Sequence, residues 1–387
     1  MEPFSFHAPT KITFGDDTAG SACDVIKEFG GKKTLIISDA NLIKAGLLTP
    51  VLDGFAAGEV PEPVIFDQVP PDSDVHCVNN VAALARESGC DSLVAIGGGS
   101  VMDTAKVANI CLTYGGDMLE YQGLNNLPSK LRPLVAIPTT AGTGSEVSLV
   151  AMIKDAAEGR KLLFGSVFLA PDAAILDPGL IRSLPPRLTA ATGLDALTHA
   201  IEAHAALGSP SPFVEALALE AMRLIFKHLP RATSNGDDLE ARSATLIAST
   251  MAGVAFTNAG VGIVHALAHA TGARFGTHHG MTNAVFLPHG MEFNLDAAMN
   301  RYASAARFLG IITGGEDRAA AQELVGAVRS LTSRCKLPAT LRELGVPPSE
   351  DSELEELAVV ASTDPAIMFN PKESSLEDII DIYKRAY

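Results

Sequence analysis

The chain has 387 residues, of which 47% are hydrophobic and 19% are charged, and its formal net charge is −16. This composition excludes a disordered chain and indicates a globular protein long enough for two or three domains. The negative charge argues against nucleic acid or an anionic membrane as a partner, although an anionic ligand can still bind at a helix N-terminus.

The cysteines indicate the redox compartment. There are five, widely spaced and without a CxxC motif, so reduced thiols in the cytoplasm fit better than a disulfide framework or a zinc ribbon. The N-terminus lacks the basic and apolar regions of a signal peptide, and no apolar run reaches the ~18 residues needed to span a bilayer. We therefore expect a soluble intracellular protein with no membrane partner.

The first half of the chain alternates short apolar runs with amphipathic segments, which is typical of a parallel α/β sheet. Extended stretches within residues 4–14 predict a hairpin or a strand contributed to a neighbouring chain. The remaining predicted strands are at 33–38, 63–66, 92–96 and 134–137, the predicted helices are at 18–29, 42–55 and 73–88, and polar, β-rich segments fill 148–178.

The second half has a different pattern. After Pro185-Pro186 almost no strand pattern remains, and long helical periods occupy segments such as 213–227, 239–255 and 319–330. We therefore predict an α/β domain over residues 1–184 and an all-helical domain over residues 185–387.

Eight of the ten histidines fall between positions 199 and 289, in the helical half. His265 and His269 stand four residues apart, so a helix places them on one face, and Asp195 and His199 have the same spacing. A lone helical histidine is more often a core or surface residue, but a clustered His/Asp set is typical of a divalent metal site for zinc or iron(II). Three glycines allow a turn that brings His279 back beside the first pair: Gly272, Gly276 and Gly280.

A glycine run, Gly97-Gly98-Gly99-Ser100, lies between a predicted strand and a predicted helix. Without Cβ atoms, a phosphate can approach the backbone amides at the positive end of the helix dipole. The alternative is a tight turn with Ser100 and Asp103 as a capping box and no ligand. Three consecutive glycines exceed what a cap requires, so phosphate binding is favoured.

Asp39 follows an earlier strand, so it also belongs to the carboxyl edge of the predicted sheet, where ligands of such sheets bind. A carboxylate there can bind adenosine ribose hydroxyls and repel a 2′-phosphate, which favours NAD over NADP, although a helix cap explains Asp39 equally well. A second polar loop, Thr139 to Glu146, can hold phosphate or ribose oxygens or line the floor of a nicotinamide pocket. The alternative is an ordinary loop in which Thr143 caps a helix.

These motifs together resemble the iron-dependent (group III) alcohol dehydrogenase family over essentially the whole chain. The strongest matches are Gly97-Gly-Gly-Ser-Val-Met-Asp-Thr-Ala-Lys106, Pro138-Thr-Thr-Ala-Gly-Thr-Gly-Ser-Glu146, Gly193-Leu-Asp-Ala-Leu-Thr-His-Ala-Ile-Glu-Ala-His204 and Gly262 to Gly280. The resemblance implies a Rossmann-like N-terminal NAD-binding domain and an all-α C-terminal metal-binding domain, in a dehydroquinate synthase-like architecture. Homodimers or larger homo-oligomers are also common in this family.

The resemblance also implies residue roles. It assigns the metal ligands to Asp195, His199, His265 and His279, a proton-relay role to His269 and a substrate-side aromatic position to Phe256. The implied dinucleotide contacts are Asp39, Gly97, Gly98, Ser100, Thr139, Thr140, Thr143, Lys161 and Leu180.

The chain departs from the family pattern at three places. His278 stands where proline usually precedes the last ligand, the loop at Pro71-Asp72 lacks the usual Asn-Pro, and the stretch from Asp364 to Lys372 is unusually apolar. The last departure is expected to reshape the substrate pocket.

The resemblance implies an enzyme that interconverts a small primary alcohol or diol and its aldehyde. NAD carries the hydride, and iron(II), with zinc as the alternative metal, polarises the substrate oxygen. Alternatives are a reductase for lactaldehyde, 3-hydroxypropionaldehyde or a sulfonated aldehyde, a metal-dependent lyase or hydrolase of the same superfamily, and a non-catalytic metal or nucleotide binder.

Overall fold

The computed structural model describes residues 3–58, 60–155, 160–208, 211–348 and 350–387. They form two compact units, one of His7–Ser183 and one of Leu184–Tyr387 that also includes the N-terminal residues up to Phe6. The segment at residues 4–14, which we expected to act as one hairpin or strand, is therefore divided. Phe4 and Phe6 pack on the ring of Phe213 in the helical unit, with ring centroids 6.0 and 5.1 Å away.

The first unit contains a six-stranded, entirely parallel sheet. Its strands are β1 Lys11–Phe14, β2 Thr34–Ile37, β3 Val64–Phe66, β4 Ser92–Gly97, β6 Leu134–Pro138 and β9 Ala173–Leu176. Their order in the sheet is β1-β9-β6-β4-β2-β3. The predicted parallel sheet is confirmed, although β1 pairs within its own chain, in parallel with β9.

The apolar runs reflect burial of this sheet on both faces. Leu35 and Ile37 belong to one buried cluster, whereas Ile36 between them belongs to another on the opposite face. Because successive strand residues point to opposite faces, a strand covered on both sides has no polar alternation.

Five α-helices belong to this unit: α1 Ala22–Glu28, α2 Ala40–Lys44, α3 Thr49–Ala57, α4 Val75–Glu87 and α5 Gly99–Tyr114. The single helix predicted at 42–55 is wrong, because the chain breaks into α2 and α3. Gly46 has φ 71° and its amide bonds the carbonyl of Ile43, a left-handed termination that ends a helix.

A smaller three-stranded sheet occupies part of the segment that the sequence left as β-rich. Its strands are β5 Gly123–Leu124, β7 Val150–Asp155 and β8 Arg160–Gly165. The β7 and β8 strands are antiparallel, and β5 pairs with β8 in parallel.

Helices are the regular secondary structure of the second unit, whose described residues include no strand. Its helices are α6 Pro186–Ala205, α7 Pro212–Ser234, α8 Leu239–Ala259, α9 Ile263–Phe275, α10 His279–Phe293, α11 Met299–Phe308, α12 Asp317–Arg334, α13 Leu341–Leu344, α14 Asp351–Ser362 and α15 Leu376–Ala386. The helix α6 is almost completely buried, so it forms the centre of this unit.

Across the described ranges, no single helix is long and apolar enough to cross a membrane. The α8 and α9 helices, which meet at a 103° bend, pass a test of length and composition only when they are taken together.

Candidate metal centre and cofactor loops

The buried helix α6 carries a line of polar side chains on one face. Asp195, His199 and Glu202 stand at positions i, i+4 and i+7, so they lie one above another along the helix. All three are buried, with exposed fractions of 2%, 6% and 6%. Buried ionisable groups are costly unless they are paired or bind a metal, so this face indicates a site.

Helices α9 and α10 bring the other three predicted site histidines, His265, His269 and His279, to this face. His265 and His269 lie on α9, which ends at Gly276, where φ is 66°, and α10 begins three residues later at His279. Only Gly276 lies in the turn, because Gly272 and Gly280 are inside helices.

Three of these side chains form a compact set of metal-ligating atoms. Single oxygen or nitrogen atoms of Asp195, His265 and His279 all lie within 4.8 Å of one another, and Asp195 Oδ1 is 3.4 Å from His279 Nε2. One carboxylate and two imidazoles suit iron(II) or zinc, so the donor set fits the implied metal.

His199 is outside that three-residue set but lies against it. Its ring stacks on His265 with centroids 4.6 Å apart, and on Phe256 with centroids 4.3 Å apart and an interplanar angle of 20°. The structure therefore brings His199 and the predicted substrate-side residue Phe256 together beside the cluster.

His269 is held by an acid. Its Nδ1 lies 2.9 Å from Asp364 Oδ2, and both side chains are largely buried. The ring stacks on His279, with centroids 5.3 Å apart and an interplanar angle of 15°. Because Nδ1 faces Asp364, the other ring nitrogen, Nε2, is directed away from that carboxylate.

His278, the departure from the family pattern, has an exposed side chain at the N-cap of α10. Its carbonyl oxygen accepts hydrogen bonds from the amides of Met281 and Thr282. Although it is adjacent to His279, it is not part of the three-residue set.

The charges in the cluster act on one another. Burial raises the pKa of Asp195, but the imidazoles of His199, His279 and His265 and a hydrogen bond from Asn283 outweigh it and lower the pKa to about 2. Burial lowers the pKa of His265, whereas the hydrogen bond and charge of Glu202 raise it, with a net increase. The site therefore keeps a carboxylate ionised in a buried environment.

In the α/β unit, the glycine run joins the end of β4 to α5, as predicted. Gly98 is the N-cap of this 16-residue helix and offers no side-chain cap. A Cβ on Gly97 would lie 2.5 Å from Val101 Cγ2, and one on Gly99 would lie 2.8 Å from Thr143 Cγ2. Glycine is therefore needed for packing as well as for access to the amides.

The alternative interpretation of this loop as a capping box is wrong. Ser100 Oγ accepts a hydrogen bond from the amide of Asp72 at 3.1 Å. Asp103 instead accepts from Ser145 Oγ at 2.5 Å and from the amide of Met152 at 2.9 Å. These distant partners use the groups that a cap would need.

The predicted cofactor residues Asp39 and Lys161 have partners within the unit. Asp39 caps α2, with Oδ1 accepting from the amides of Asn41 and Leu42 at 2.8 and 3.2 Å. Lys161 Nζ pairs with Asp72 at 2.9 Å. Because the cap uses only Oδ1, Asp39 retains a second carboxylate oxygen for a ligand.

The polar loop after β6 contains the predicted threonines. Thr139 is buried and Thr140 is half-buried, and Thr143 Oγ1 accepts from the amide of Ser145 at 3.3 Å. A turn follows rather than a helix, so the helix cap weighed for Thr143 is wrong. Leu180 is buried in the apolar cluster on one face of the sheet.

Comparisons with known proteins agree with this architecture. Residues 9–178 match the family described as iron-containing alcohol dehydrogenase, and residues 189–387 match the C-terminal part of the Fe-containing alcohol dehydrogenase family. The chain belongs to the iron-containing alcohol dehydrogenases.

Relatives match along almost their whole length. The chain is 38% identical over 383 residues to the NAD-dependent methanol dehydrogenase of Bacillus methanolicus, and 35% identical over 387 residues to the 1,3-propanediol dehydrogenase of Citrobacter freundii, with 99% of each chain covered in both cases. The crystal structure of a 1,3-propanediol oxidoreductase superposes with a TM-score of 0.96, 35% identity and complete coverage of both chains.

These findings confirm the predicted family and the two-part fold, and the description of the family names iron as its metal. NAD-dependence is named for the methanol dehydrogenase of Bacillus methanolicus. The comparisons also confirm an oxidoreductase that interconverts an alcohol and an aldehyde, and they do not favour the lyase.

Sequence reasoning on this alcohol dehydrogenase missed three polar residues of the centre: Glu202, Asn283 and Asp364. Asn283 Nδ2 lies 2.7 Å from Asp195 Oδ1, 3.3 Å from His265 Nε2 and 3.2 Å from His279 Nε2. Helical spacing could have found Glu202, seven residues after Asp195, and Asn283, four residues after His279. No local pattern connects Asp364 with His269, 95 residues earlier.

Proposed function

We propose that this iron-containing alcohol dehydrogenase oxidises a small primary alcohol or diol with NAD and reduces the aldehyde in the reverse direction. The observation that carries the proposal is the convergence of buried Asp195 and His265 with half-buried His279 in a set of donors suited to iron(II). The relatives named for methanol and 1,3-propanediol support a small primary alcohol as the substrate.

We assign NAD binding to residues 1–184 and metal binding and catalysis to residues 185–387. Asp195, His265 and His279 would hold the iron, with zinc as the alternative metal, and His199 would be the fourth ligand. The stacking of His199 on His265 supports this assignment, because the two rings already lie 4.6 Å apart.

When bound, the iron would supply a Lewis acid for the substrate oxygen and NAD would supply the hydride acceptor. The chain supplies proton transfer through His269, whose Nε2 would take the hydroxyl proton while Nδ1 stays hydrogen-bonded to Asp364. The ring of Phe256, stacked on His199, would form an apolar wall beside the substrate.

For the dinucleotide, the amides at Gly97, Gly98 and Ser100 would bind the pyrophosphate at the N-terminus of α5. Asp39 would bind the adenosine ribose hydroxyls through its second carboxylate oxygen and disfavour NADP. The remaining proposed contacts come from Thr139, Thr140, Thr143, Lys161 and Leu180.

We also propose a cytoplasmic location and a homodimer or larger homo-oligomer. The five cysteines are free and buried, which suits a reducing compartment. Ile12 and Phe14 are exposed on the edge strand β1, which offers an apolar, unpaired strand edge to a second copy.

Two adjacent histidines provide a matched test of the metal centre. The variant His279→Ala should lose bound iron or zinc and at least ~100-fold in kcat/KM, because a ligand is usually indispensable to such a centre. The variant His278→Ala should retain both, since its side chain is exposed and outside the three-residue set.

The measurements are metal content after purification and reduction of NAD by a panel of short primary alcohols. Chelator treatment should abolish turnover, and iron(II) or zinc should restore it. Full activity in metal-free protein, or equal metal loss in the two variants, would contradict the proposed centre.

A further inference from the structure

Glu202 is in contact with the proposed metal centre but belongs to none of the roles assigned so far. Its Oε2 lies 2.5 Å from Nδ1 of His265, and its Oε1 accepts a hydrogen bond from the amide of Val264 at 2.8 Å. Both carboxylate oxygens are therefore directed at the first turn of α9.

Burial makes these two contacts energetically important. The side chains of Glu202 and His265 are only 6% and 3% exposed. A buried carboxylate costs several kcal/mol unless hydrogen bonds and a nearby positive charge compensate. Here the compensation comes from a backbone amide at the positive end of a helix dipole and from the imidazole N–H.

The bond also determines which nitrogen of His265 faces the cluster. An ionised carboxylate only accepts hydrogen bonds, so Nδ1 must carry the hydrogen. The lone pair of the neutral ring is then on Nε2, which lies on the side of the cluster, 3.3 Å from Asn283 Nδ2. A free imidazole would divide its population between the two tautomers.

We propose that Glu202 is a positioning residue for the metal centre, which holds His265 in the tautomer that presents Nε2 to the ion. The proposal rests on the proposed metal site. Mutation of a carboxylate that accepts a hydrogen bond from a ligating histidine typically lowers metal affinity by ~10- to 100-fold. Asp195, His199 and Glu202 share one face of α6. A single rigid helix would therefore supply two metal ligands and the residue that orients a third ligand, His265.

A second residue that caps α9, Asn370, offers a control for the capping role of Glu202. Asn370 Oδ1 accepts from the amide of Ile263 at 3.1 Å and from Asn294 Nδ2 at 2.9 Å. It therefore caps the same helix end without any hydrogen bond to the imidazole of His265. The variant Asn370→Ala removes this cap and the hydrogen bonds of Asn370 with Asn294 and Lys372, whereas Glu202→Gln changes the partner of the His265 ring.

In Glu202→Gln, the amide oxygen can still accept from Val264, but the amide nitrogen then faces Nδ1 and donates to it. This favours the tautomer with the hydrogen on Nε2, which cannot ligate. We expect zinc affinity, measured by competition with a chromophoric chelator, to fall ~10- to 100-fold. Asn370→Ala should lower the thermal midpoint but retain zinc affinity within about threefold, well below that outer-shell effect.

A second readout is the nitrogen–proton correlation spectrum of the histidine rings in the zinc-loaded protein. The wild type should show a slowly exchanging proton on Nδ1 of His265, and Glu202→Gln should not. If Glu202→Gln does not fold, Glu202→Asp, which keeps the charge but is too short to reach both groups, should bind zinc more weakly than the wild type, by less than ~10-fold. Wild-type zinc affinity in Glu202→Asp would contradict the proposal.

The outcomes separate the two proposals. If the wild type binds no zinc, the metal centre itself is wrong. If the wild type binds zinc and Glu202→Gln binds it equally well, or if Asn370→Ala loses as much affinity as Glu202→Gln, Glu202 is only a helix cap.

Discussion

At the scale of single residues, Asp39 combines a structural and a proposed recognition role that one substitution can separate. Its Oδ1 caps α2 through two backbone amides. Asparagine caps a helix as well as aspartate does, but it lacks the charge that would repel a 2′-phosphate. The variant Asp39→Asn therefore keeps the cap and removes the discrimination.

We expect Asp39→Asn to raise the ratio of kcat/KM for NADP to that for NAD at least ~10-fold, because a like-charge contact is removed. The thermal midpoint should remain close to that of the wild type. Asp74→Asn is the control, since Asp74 caps α4 through the amide of Cys77 at 2.9 Å and should leave the ratio unchanged. Equal ratios in the two variants would show that Asp39 is only a cap.

At the scale of elements, the close approach of two helices positions the proposed ligands. Gly280, next to His279 on α10, contacts α6 so closely that a Cβ would lie 2.4 Å from the carbonyl oxygen of Ala191 and 3.3 Å from Asp195 Cβ. Any side chain at this position must push the helices apart. The distance between Asp195 and His279 therefore depends on a glycine that itself offers no metal-ligating atom.

The variant Gly280→Ala should destabilise the protein by about 1–3 kcal/mol, as overpacking does, and weaken zinc binding at least ~10-fold. Denaturant unfolding and chelator competition measure the two effects. Gly326→Ala is the matched control, because Gly326 is exposed on α12 with nothing within 4 Å of its added Cβ. Gly326→Ala should raise the free energy of unfolding by up to ~1 kcal/mol and leave zinc affinity unchanged. Wild-type zinc affinity in Gly280→Ala would refute this account of the helix contact.

At the scale of the whole molecule, the α/β unit contains a fully buried lysine that couples its stability to pH. Lys106 Nζ is surrounded by four oxygen acceptors: Ser148 Oγ at 2.8 Å, the carbonyl oxygens of Ser148 and Val150 at 2.9 Å each, and Ser145 Oγ at 3.2 Å. Burial lowers the pKa of Lys106 from 10.5 to about 8, although Asp103 and Glu146 oppose the shift.

Because its pKa is lower in the folded state, Lys106 binds more protons in the unfolded chain between pH 8 and 10.5. Its contribution to the free energy of unfolding must therefore rise with pH in this window, by up to about 3 kcal/mol. Lys106→Met removes this contribution. Denaturant unfolding at several pH values measures the free energy of unfolding of both proteins. The difference between wild type and variant should increase from pH 8 upward, and a difference that does not change with pH would refute the shift.

Much of this protein follows from local patterns in the sequence. The apolar runs Thr34–Ile37 and Ser92–Gly97 indicate a parallel sheet because strands covered on both faces have no polar side. The spacing of Asp195 with His199, and of His265 with His269, places each pair on one helix face, because the helical period is a property of the backbone. The glycine run after β4 likewise requires only the order strand, glycine and helix.

Only the tertiary structure decided which distant groups meet. Glu202 bonds His265, 63 residues away, and Asp364 bonds His269, 95 residues away. Asp103 is engaged by Ser145 and is therefore no helix cap. Local periodicity determines the direction of a side chain from its own helix, but its partner depends on how helices pack. The sequence by itself therefore predicts the family and the candidate ligands, whereas only the packing of α6, α9 and α10 shows how those ligands are held and oriented.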